Sequence, residues 1–300
     1  MGGKSFHGAS SSEEAPPPPP SEPLPTHRRH TRGPVVGRRV LVQYPGAMSS
    51  PVLVEVCVDS LSGALCAVEG GAGRLELCAG LVEGGTTPSL GMIEAVRSAT
   101  EVEIVVLLRP RAGDFLYSDD ELELMLRDIE HARAAGADGI ALGVLHPDGR
   151  IDRDRTRTLV EAAAPLPATF HRAFDLTRDA GEALESVLAS GCRRLLTSGQ
   201  APSAVEGIAC LRALVETAGD KLSVMPGGGL RPDNAARVAR ESGAHELHFS
   251  AGALMESAME YRREGLQLGG SNRTGEYGRR VASAELVRGV VDSLAGLDGA

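Results

Sequence analysis

The strongest constraint on the fold is a strict alternation of short apolar segments with segments of helical periodicity, from Val52 to Leu294. The apolar, β-branched segments are Val52–Val58, Arg74–Cys78, Ile104–Leu108, Gly139–Leu145, Ala168–His171, Arg193–Leu196, Leu222–Met225 and Glu246–Ser250. The segments with helical spacing are Leu61–Gly70, Ser89–Ala99, Asp119–Ala135, Arg153–Ala164, Asp179–Ser190, Ser203–Ala218, Asp233–Glu241 and Ala284–Leu294. This alternation predicts right-handed βαβ units and a parallel sheet. Eight units of about 30 residues predict an α/β fold with a single (β/α)8 TIM-type barrel. An open doubly wound sheet is the alternative, but an early G-x-G-x-x-G turn is missing.

Local signals support the helix predictions. Ser118 and Glu121 have the spacing of a capping box, in which each side chain satisfies an amide of the other residue. Thr87-Pro88 predicts an N-cap followed by proline at the first helical position. A Gly-Ala pair precedes three of the predicted strands, at 71–72, 136–137 and 243–244. Glycine at these positions predicts helix ends in the left-handed conformation.

Residues 1–50 differ from the rest of the chain. They include Ser10–Ser12, five consecutive prolines at 16–20 and a run of arginine and histidine at 27–32, without apolar periodicity. Such composition predicts a disordered low-complexity tail, with the barrel domain over residues 51–300.

Charge and hydropathy exclude several classes of protein. The chain carries a net charge of −9, and because residues 1–50 contribute +3, the remaining residues sum to −12. Nucleic acid is not expected as a partner, since phosphate neutralisation needs clustered cations. A membrane partner is not expected either, because no segment has the roughly 20 apolar residues of a membrane span. Lys4 and Lys221, the two lysines, are poorly placed for a Schiff base at a barrel mouth.

The cysteines indicate a reducing environment. The chain has five of them, an odd number, and no secretory apolar region precedes them. A cytoplasmic location, with thiols kept reduced, is therefore expected.

Two cysteines stand at predicted strand ends, where barrel proteins place their functional groups. Glu55-Val56-Cys57 and Glu76-Leu77-Cys78 each put a carboxylate and a thiol on one strand face, because side chains alternate with period two. Neighbouring parallel strands lie about 4.8 Å apart, so thiols at equivalent depth could share one soft ion. Thiolates favour Cu(I), which makes Cys57 and Cys78 candidate metal ligands. The alternative is that both are buried and act as small hydrophobic residues.

A second set of strand-end residues predicts an anion site. Gly227, Gly228 and Gly229 follow the seventh strand, and their amides could cradle a phosphate beside Arg172. A tight turn would use the same three glycines. Arg109 would help to hold the anion, and His171 or Glu55 would transfer a proton. These residues together predict, as an alternative function, an enzyme for a small anionic or phosphorylated substrate. His248 is a further acid–base candidate, and a hydrogen-bonded core role is the alternative for either histidine.

The segment Ala251–Ala282 is long for a connection after the eighth strand. Such length suggests a lid or a contact between subunits.

Eight strings mark the ends of the predicted strands and the loops after them: EVCVDS at 55–60, RLELC at 74–78, EGGTTPS at 83–89, RPR at 109–111, GDFLYS at 113–118, TFHRAFD at 169–175, LTSG at 196–199 and MPGGG at 225–229. Together these strings resemble the CutC copper-homeostasis family. The resemblance extends from Val54 to the end of the chain and leaves residues 1–50 outside it.

The resemblance implies a (β/α)8 barrel and a role in copper homeostasis. It also implies Cu(I) bound by the cysteines that match Cys57 and Cys78, a homo-oligomer (dimer or tetramer), and a location either in the cytoplasm or in both the cytoplasm and the nucleus. Copper ion is thus the expected partner, and a small anionic ligand is the partner expected in the alternative enzyme interpretation.

Overall fold

The computed structural model describes residues 1–2, 52–266, 268, 275–295 and 297. The chain divides into residues 1–43 and residues 44–300, and of the first unit only Met1 and Gly2 are described. The predicted disorder of residues 1–50 therefore lies outside the described residues. The start of the barrel domain at residue 51 stays a prediction.

The second unit is the predicted (β/α)8 barrel. Its strands are β1 (Leu53–Val58), β2 (Arg74–Leu77), β3 (Glu103–Leu107), β4 (Gly139–Leu142), β5 (Ala168–Phe170), β6 (Arg194–Thr197), β7 (Ser223–Pro226) and β8 (Glu246–Phe249). Its α-helices are α1 (Leu61–Glu69), α2 (Leu90–Ala99), α3 (Asp119–Ala134), α4 (Arg153–Ala163), α5 (Ala180–Ala189), α6 (Ile208–Ala218), α7 (Ala235–Ser242) and α8 (Ala284–Ala295). The parallel sheet runs in the order β7-β6-β5-β4-β3-β2-β1-β8, and a parallel bridge between Gly227 and His248 joins its two ends. The prediction of a TIM-type barrel is thus confirmed.

The period of two residues along each strand separates two cores. On β1, Val54, Val56 and Val58 face the surrounding helices and belong to the large apolar core between helices and sheet. The alternate residues face the barrel axis, where Cys57, Cys78 and Leu107 belong to a small separate apolar cluster. Glu55 is also buried on this inner face, so the barrel interior combines ionisable and apolar side chains.

Most local signals act as predicted. The capping box of Ser118 and Glu121 is present at α3, and Gly71, Gly136 and Gly243 all have positive φ, as expected at helix ends. The predicted cap at Thr87-Pro88 is wrong. Ser89 caps α2 by accepting from the Met92 amide, whereas the Thr87 hydroxyl accepts from the Arg109 amide. Thr87 therefore links two loops at the barrel mouth.

The long segment after β8 contains a second sheet. β9 (Gly252–Glu256) and β10 (Gly278–Ala282) pair antiparallel and lead into α8. Apart from residues 267 and 269–274, the segment lies within the described part of the chain. Among the described helices, none combines the length and hydropathy required to cross a bilayer.

Candidate functional site

A cavity of about 360 Å³ opens at the carboxyl ends of the strands. Cys57, Glu76 and His248 contribute to it from neighbouring strands β1, β2 and β8. Arg172 contributes from the loop after β5, across the barrel from β1, and Gly228 from the loop after β7, the strand next to β8. Most of the residues predicted as site residues therefore meet around one cavity.

The two strand-end thiols lie in contact inside the barrel. Cys57 Sγ and Cys78 Sγ are 3.5 Å apart, and both residues are buried. The two cysteines do not lie at equivalent depth, contrary to the expectation from their matching motifs, because the register pairs Cys57 with Glu76. Cys78 lies two residues nearer the mouth, and its thiol donates to the Val58 carbonyl at 3.4 Å. The stagger of a barrel sheet brings the sulfur atoms together in spite of this offset.

Cys57 also belongs to a second donor cluster. One ligand atom each of Cys57, Glu76 and His248 lie within 4.8 Å of one another, and all three residues are buried. From the sequence, Glu76 was placed on one strand face with Cys78 and His248 was an acid–base candidate, and neither was predicted to lie beside Cys57. The strand register pairs Cys57 with Glu76, and it pairs His248 on β8 with the inward-facing Glu55. The inward parity of these residues was the available sequence signal for the cluster.

A hydrogen-bond chain orients His248. Its Nδ1 lies 2.7 Å from Glu55 Oε1, and because an ionised carboxylate only accepts, Nδ1 carries the proton. Nε2 then faces Glu76 Oε2 at 3.8 Å with a free lone pair in the neutral ring. Metal-binding histidines commonly have this arrangement, in which a carboxylate fixes the tautomer and the ring orientation.

Buried ion pairs hold Glu55 in place. Arg74 donates to Glu55 and to Glu246, and its Nη2 lies 3.3 Å from Met225 Sδ. Burial alone raises the pKa of Glu55, but Arg74 and His248 outweigh it and lower this pKa to about 2. Glu55 is thus an ionised anchor for His248 and not a free base. Arg74 was not predicted as the partner of Glu55, although Arg74 has the parity of an inward-facing residue.

The pKa values of Cys57, Glu76 and His248 are all raised, which favours the protonated form of each group. The hydrogen bond with Cys78 and burial raise the pKa of the Cys57 thiol, and burial raises the pKa of Glu76. Burial lowers the pKa of His248, but Glu76 and Glu55 outweigh this effect, so the pKa of His248 is raised overall. A cation that binds here must therefore displace protons.

Arg109 holds two rim loops together. Its guanidinium donates to the carbonyls of Glu83 at 2.9 Å and of Gly85 and Gly113 at 2.7 Å each. It also lies over the Phe115 ring, 5.1 Å from the centroid. Since both terminal nitrogens donate to backbone carbonyls, Arg109 lines the cavity mainly as a structural clamp.

His171 lies on the wall of the same cavity and caps a short 3-10 helix at Arg172–Leu176. Its Nδ1 accepts from the Ala173 amide at 3.2 Å, so the neutral ring carries its proton on Nε2. Burial lowers the pKa of His171 to about 3. At neutral pH His171 is therefore a hydrogen-bond donor, not a charged acid.

Two donor sets thus share one cavity. Cys57, Glu76 and His248 line its β8–β1–β2 side, and the buried Cys78 thiol lies 3.5 Å from Cys57 Sγ without lining the cavity; these groups can coordinate a metal ion. The second set consists of Gly228 and Gly229, after β7, and of Arg172, after β5, whose Nε donates to Asp175 at 2.7 Å. Gly227 begins the turn that contains Gly228 and Gly229. A Cβ atom at Gly227 would come within 2.5 Å of the Leu196 side chain, so the turn needs glycine at this position.

Known proteins with related sequences carry one family name. The model of the CutC family matches residues 52–253. A CutC family protein of Chromobacterium violaceum is 49% identical over 242 residues, which cover 81% of this chain and 98% of that protein. The copper homeostasis protein cutC homologs of Mus musculus and Homo sapiens are each 46% identical over 236 residues, or 79% of this chain. The match covers 87% of the mouse protein and 86% of the human one.

Solved structures show the same relationship. The crystal structure of CutC from Streptococcus agalactiae is 32% identical, with a TM-score of 0.64, and the match covers 66% of this chain and 98% of that one. A thiamine phosphate pyrophosphorylase from Pyrococcus furiosus has a TM-score of 0.51 and 18% identity over 82% of this chain and 96% of that one. The second likeness concerns the fold alone.

Proposed function

This chain belongs to the CutC family, and we propose that it is a copper homeostasis protein that binds one Cu(I) ion through Cys57 and Cys78. The observation that carries the proposal is the pair of sulfur atoms 3.5 Å apart inside the barrel. Two metal–thiolate bonds of about 2.3 Å, the length in zinc sites, span up to about 4.6 Å. One ion can therefore bond both sulfur atoms after a small adjustment. Copper is the cargo in this proposal.

The chemistry of the donors favours Cu(I) over harder ions. Thiolates are soft ligands, whereas oxygen-preferring cations need several carboxylates or carbonyls, and the donor cluster of Cys57 among the described residues contains one carboxyl group, that of Glu76. The neutral imidazole of His248 offers Nε2 as a third donor, already oriented by Glu55. In our proposal Glu76 stays protonated or hydrogen-bonded and does not bind the metal.

Metal analysis of the reduced protein tests this function. We expect about one copper per chain after loading with Cu(I) in the presence of a competing chelator, since one thiol pair binds one ion. The matched control is Cys66→Ser/Cys210→Ser, which removes two partly exposed thiols outside the barrel interior and should keep the same copper content. Copper that stays with the chelator, or that depends on Cys66 and Cys210, would contradict the proposal.

A location either in the cytoplasm or in both the cytoplasm and the nucleus belongs to the same proposal. All five cysteines are free thiols, including Cys57 and Cys78 in contact with each other. Thiols of this kind persist in reducing compartments.

We also propose that the protein is a homo-oligomer, a dimer or a tetramer, that associates through the β9–β10 hairpin. Leu254 and Met255 on β9 and Met259 and Tyr261 beyond it are 43% to 68% exposed. Several exposed apolar residues within eight positions of the chain, 254–261, are typical of contacts between subunits.

Light scattering coupled to size exclusion is expected to give two or four times the chain mass. Leu254→Glu/Met259→Glu should lower this mass, because it places charge in the contact. Leu124→Glu, at an equally exposed leucine on α3, is the matched control and should leave the mass unchanged. A wild-type mass of one chain would contradict the oligomer, and an unchanged mass in the hairpin variant would contradict the proposed interface.

A further inference from the structure

The cavity at the barrel mouth is far larger than a metal ion. Its volume is about 360 Å³, whereas a water molecule takes about 30 Å³ in the liquid and cavities for small organic ligands begin near 300 Å³. Cys57, Cys78 and His248 come from β1, β2 and β8 alone. A copper ion on these residues leaves His171 and Arg172, which follow β5 and line the same cavity, without a function.

We propose that this cavity also binds a small organic phosphate ester, with its phosphate on the loop after β7 and on Arg172. Gly228 and Gly229 have φ of +102° and +74°, and their amides donate no hydrogen bond within the described part of the chain. Successive amides in such conformations form concave sites for anions. The loops after strands 7 and 8 are also where barrel enzymes often bind phosphate.

Arg172 supplies a cation directly over this loop. A Cβ atom at Gly228 would lie 3.2 Å from its Nη1. Its Nε donates to Asp175 at 2.7 Å and its Nη2 to Ser198 at 3.1 Å, and Nη1 has no acceptor among the described residues. Asp175 itself accepts from the Ser198 amide at 3.0 Å, which fixes the carboxylate. The guanidinium is therefore held in one orientation with a donor left for an anion.

A buried donor without a partner indicates that a ligand completes the cavity. His171 is 5% exposed, lines the cavity, and its Nε2 has no hydrogen-bond partner among the described residues. Because Nδ1 accepts from the Ala173 amide, Nε2 is a donor. A buried donor without an acceptor destabilises the protein, so an oxygen atom of a ligand would be stabilising here. His171 Nε2 can donate equally well to an ester or hydroxyl oxygen in the organic part of the phosphate ester.

The remaining lining favours an organic ligand over a bare inorganic ion. Six apolar side chains line the cavity: Leu81, Leu107, Phe115, Leu196, Leu230 and Phe249. Ligand sites commonly pair such an apolar surface with a few oriented polar groups. The groups proposed to face the phosphate ester, which are the Gly228 and Gly229 amides, Arg172 and His171 Nε2, are donors and therefore match its acceptor oxygens, whereas Glu76 and His248 line the cavity at its β8–β1–β2 side.

Calorimetric titration of the full-length, copper-free protein with glycerol 3-phosphate tests the proposal. We expect saturable binding by the wild-type protein, and affinity at least about tenfold lower in Arg172→Met, since a charge-assisted hydrogen bond is lost. Gly228→Ala should weaken binding too, because its methyl group would occupy the space beside the guanidinium. Should the positive φ of Gly228 prevent that variant from folding, Arg172→Met decides the test.

Matched controls separate this site from the copper site. Arg178→Met removes an arginine of similar exposure, 51% against 45%, that pairs with Glu182 outside the cavity, and it should bind like wild type. Because the titration uses copper-free protein and measures only glycerol 3-phosphate binding, its outcome does not depend on whether Cys57 and Cys78 bind copper. Glycerol and lactate, titrated in parallel, should not bind measurably. Lack of binding at about 10 mM glycerol 3-phosphate, equal binding by Arg172→Met, or equal binding of lactate would overturn the proposal.

Discussion

Replacing both barrel thiols, in Cys57→Ser/Cys78→Ser, is expected to lower Cu(I) affinity by at least about a thousandfold. Loss of a residue that only supports a metal ligand typically costs about 10- to 100-fold. Here both soft ligands are removed, and serine hydroxyls are poor ligands for Cu(I). Competition with a Cu(I) chelator under anaerobic, reducing conditions measures the change. Affinity that equals that of the Cys66→Ser/Cys210→Ser control would rule out this sulfur pair as the copper site.

The two single substitutions, Cys57→Ser and Cys78→Ser, should lower Cu(I) affinity by different amounts. Cys57 Sγ lies 3.5 Å from Cys78 Sγ and also within 4.8 Å of ligand atoms of Glu76 and His248. Cys78 instead donates to the Val58 carbonyl, at the edge of the donor set. Cys57→Ser is therefore expected to cost more affinity than Cys78→Ser in the same competition assay.

Copper binding should weaken as the pH falls. The pKa of the Cys57 thiol is raised by its hydrogen bond with Cys78 and by burial, so the free protein holds this proton at neutral pH. Cu(I) binds the thiolate, which makes proton release part of the binding reaction. At pH values below the raised pKa of Cys57, the apparent Cu(I) affinity should fall about tenfold for each unit of decrease in pH, for every proton that binding releases.

Replacing Arg74 by methionine is expected to lower the free energy of unfolding by about 3 to 5 kcal/mol, the usual cost of leaving a buried charge without its partner. Arg74 is 1% exposed and donates to Glu55 and Glu246, while Arg194 lies 3.5 Å from Glu246. Methionine has similar length, so lost packing is a minor part of the change. Urea unfolding measures the loss. Arg127→Met, which breaks an exposed pair with Glu123 on α3, is the control and should change stability by less than about 0.5 kcal/mol.

A second substitution separates charge from packing. Adding Glu55→Gln to Arg74→Met should recover part of the lost stability, because it removes the charge that Arg74 had compensated. A loss in Arg74→Met no larger than in Arg127→Met, or no recovery in the double variant, would contradict the proposed role of this ion pair.

The Arg74→Met deficit should also depend on pH. The pKa of Glu55 is lowered from 4.5 to about 2 in the folded protein. Its ionised form therefore stabilises the fold above about pH 4.5, and that contribution is lost as the pH falls towards 2. Because burial without Arg74 favours the protonated carboxyl group, the variant should differ most from wild type above pH 4.5 and least near pH 2.

Particular residues show how far the sequence could predict the site. Cys57, Cys78, His171, Arg172 and Gly228 lie at or just beyond the carboxyl ends of predicted strands, and the barrel brings all of them to one end because parallel strands end at the same edge. The partners of Glu55 could not be predicted in the same way. Arg74 and His248 are on two different neighbouring strands, 19 and 193 residues away in the chain. Sequence spacing carries no information about which inward-facing side chains meet across a closed barrel.

The sequence by itself determined the class of fold and the inner face of each strand, because the alternation of strands and helices and the period of two residues are local properties. It also determined the family, through strings that extend over most of the chain. The tertiary structure alone decided the offset of Cys57 and Cys78, the cluster of Cys57 with Glu76 and His248, and the buried donor of His171. Register and stagger between strands depend on packing around the whole barrel, and these long-range relations fix which atoms are within bonding distance.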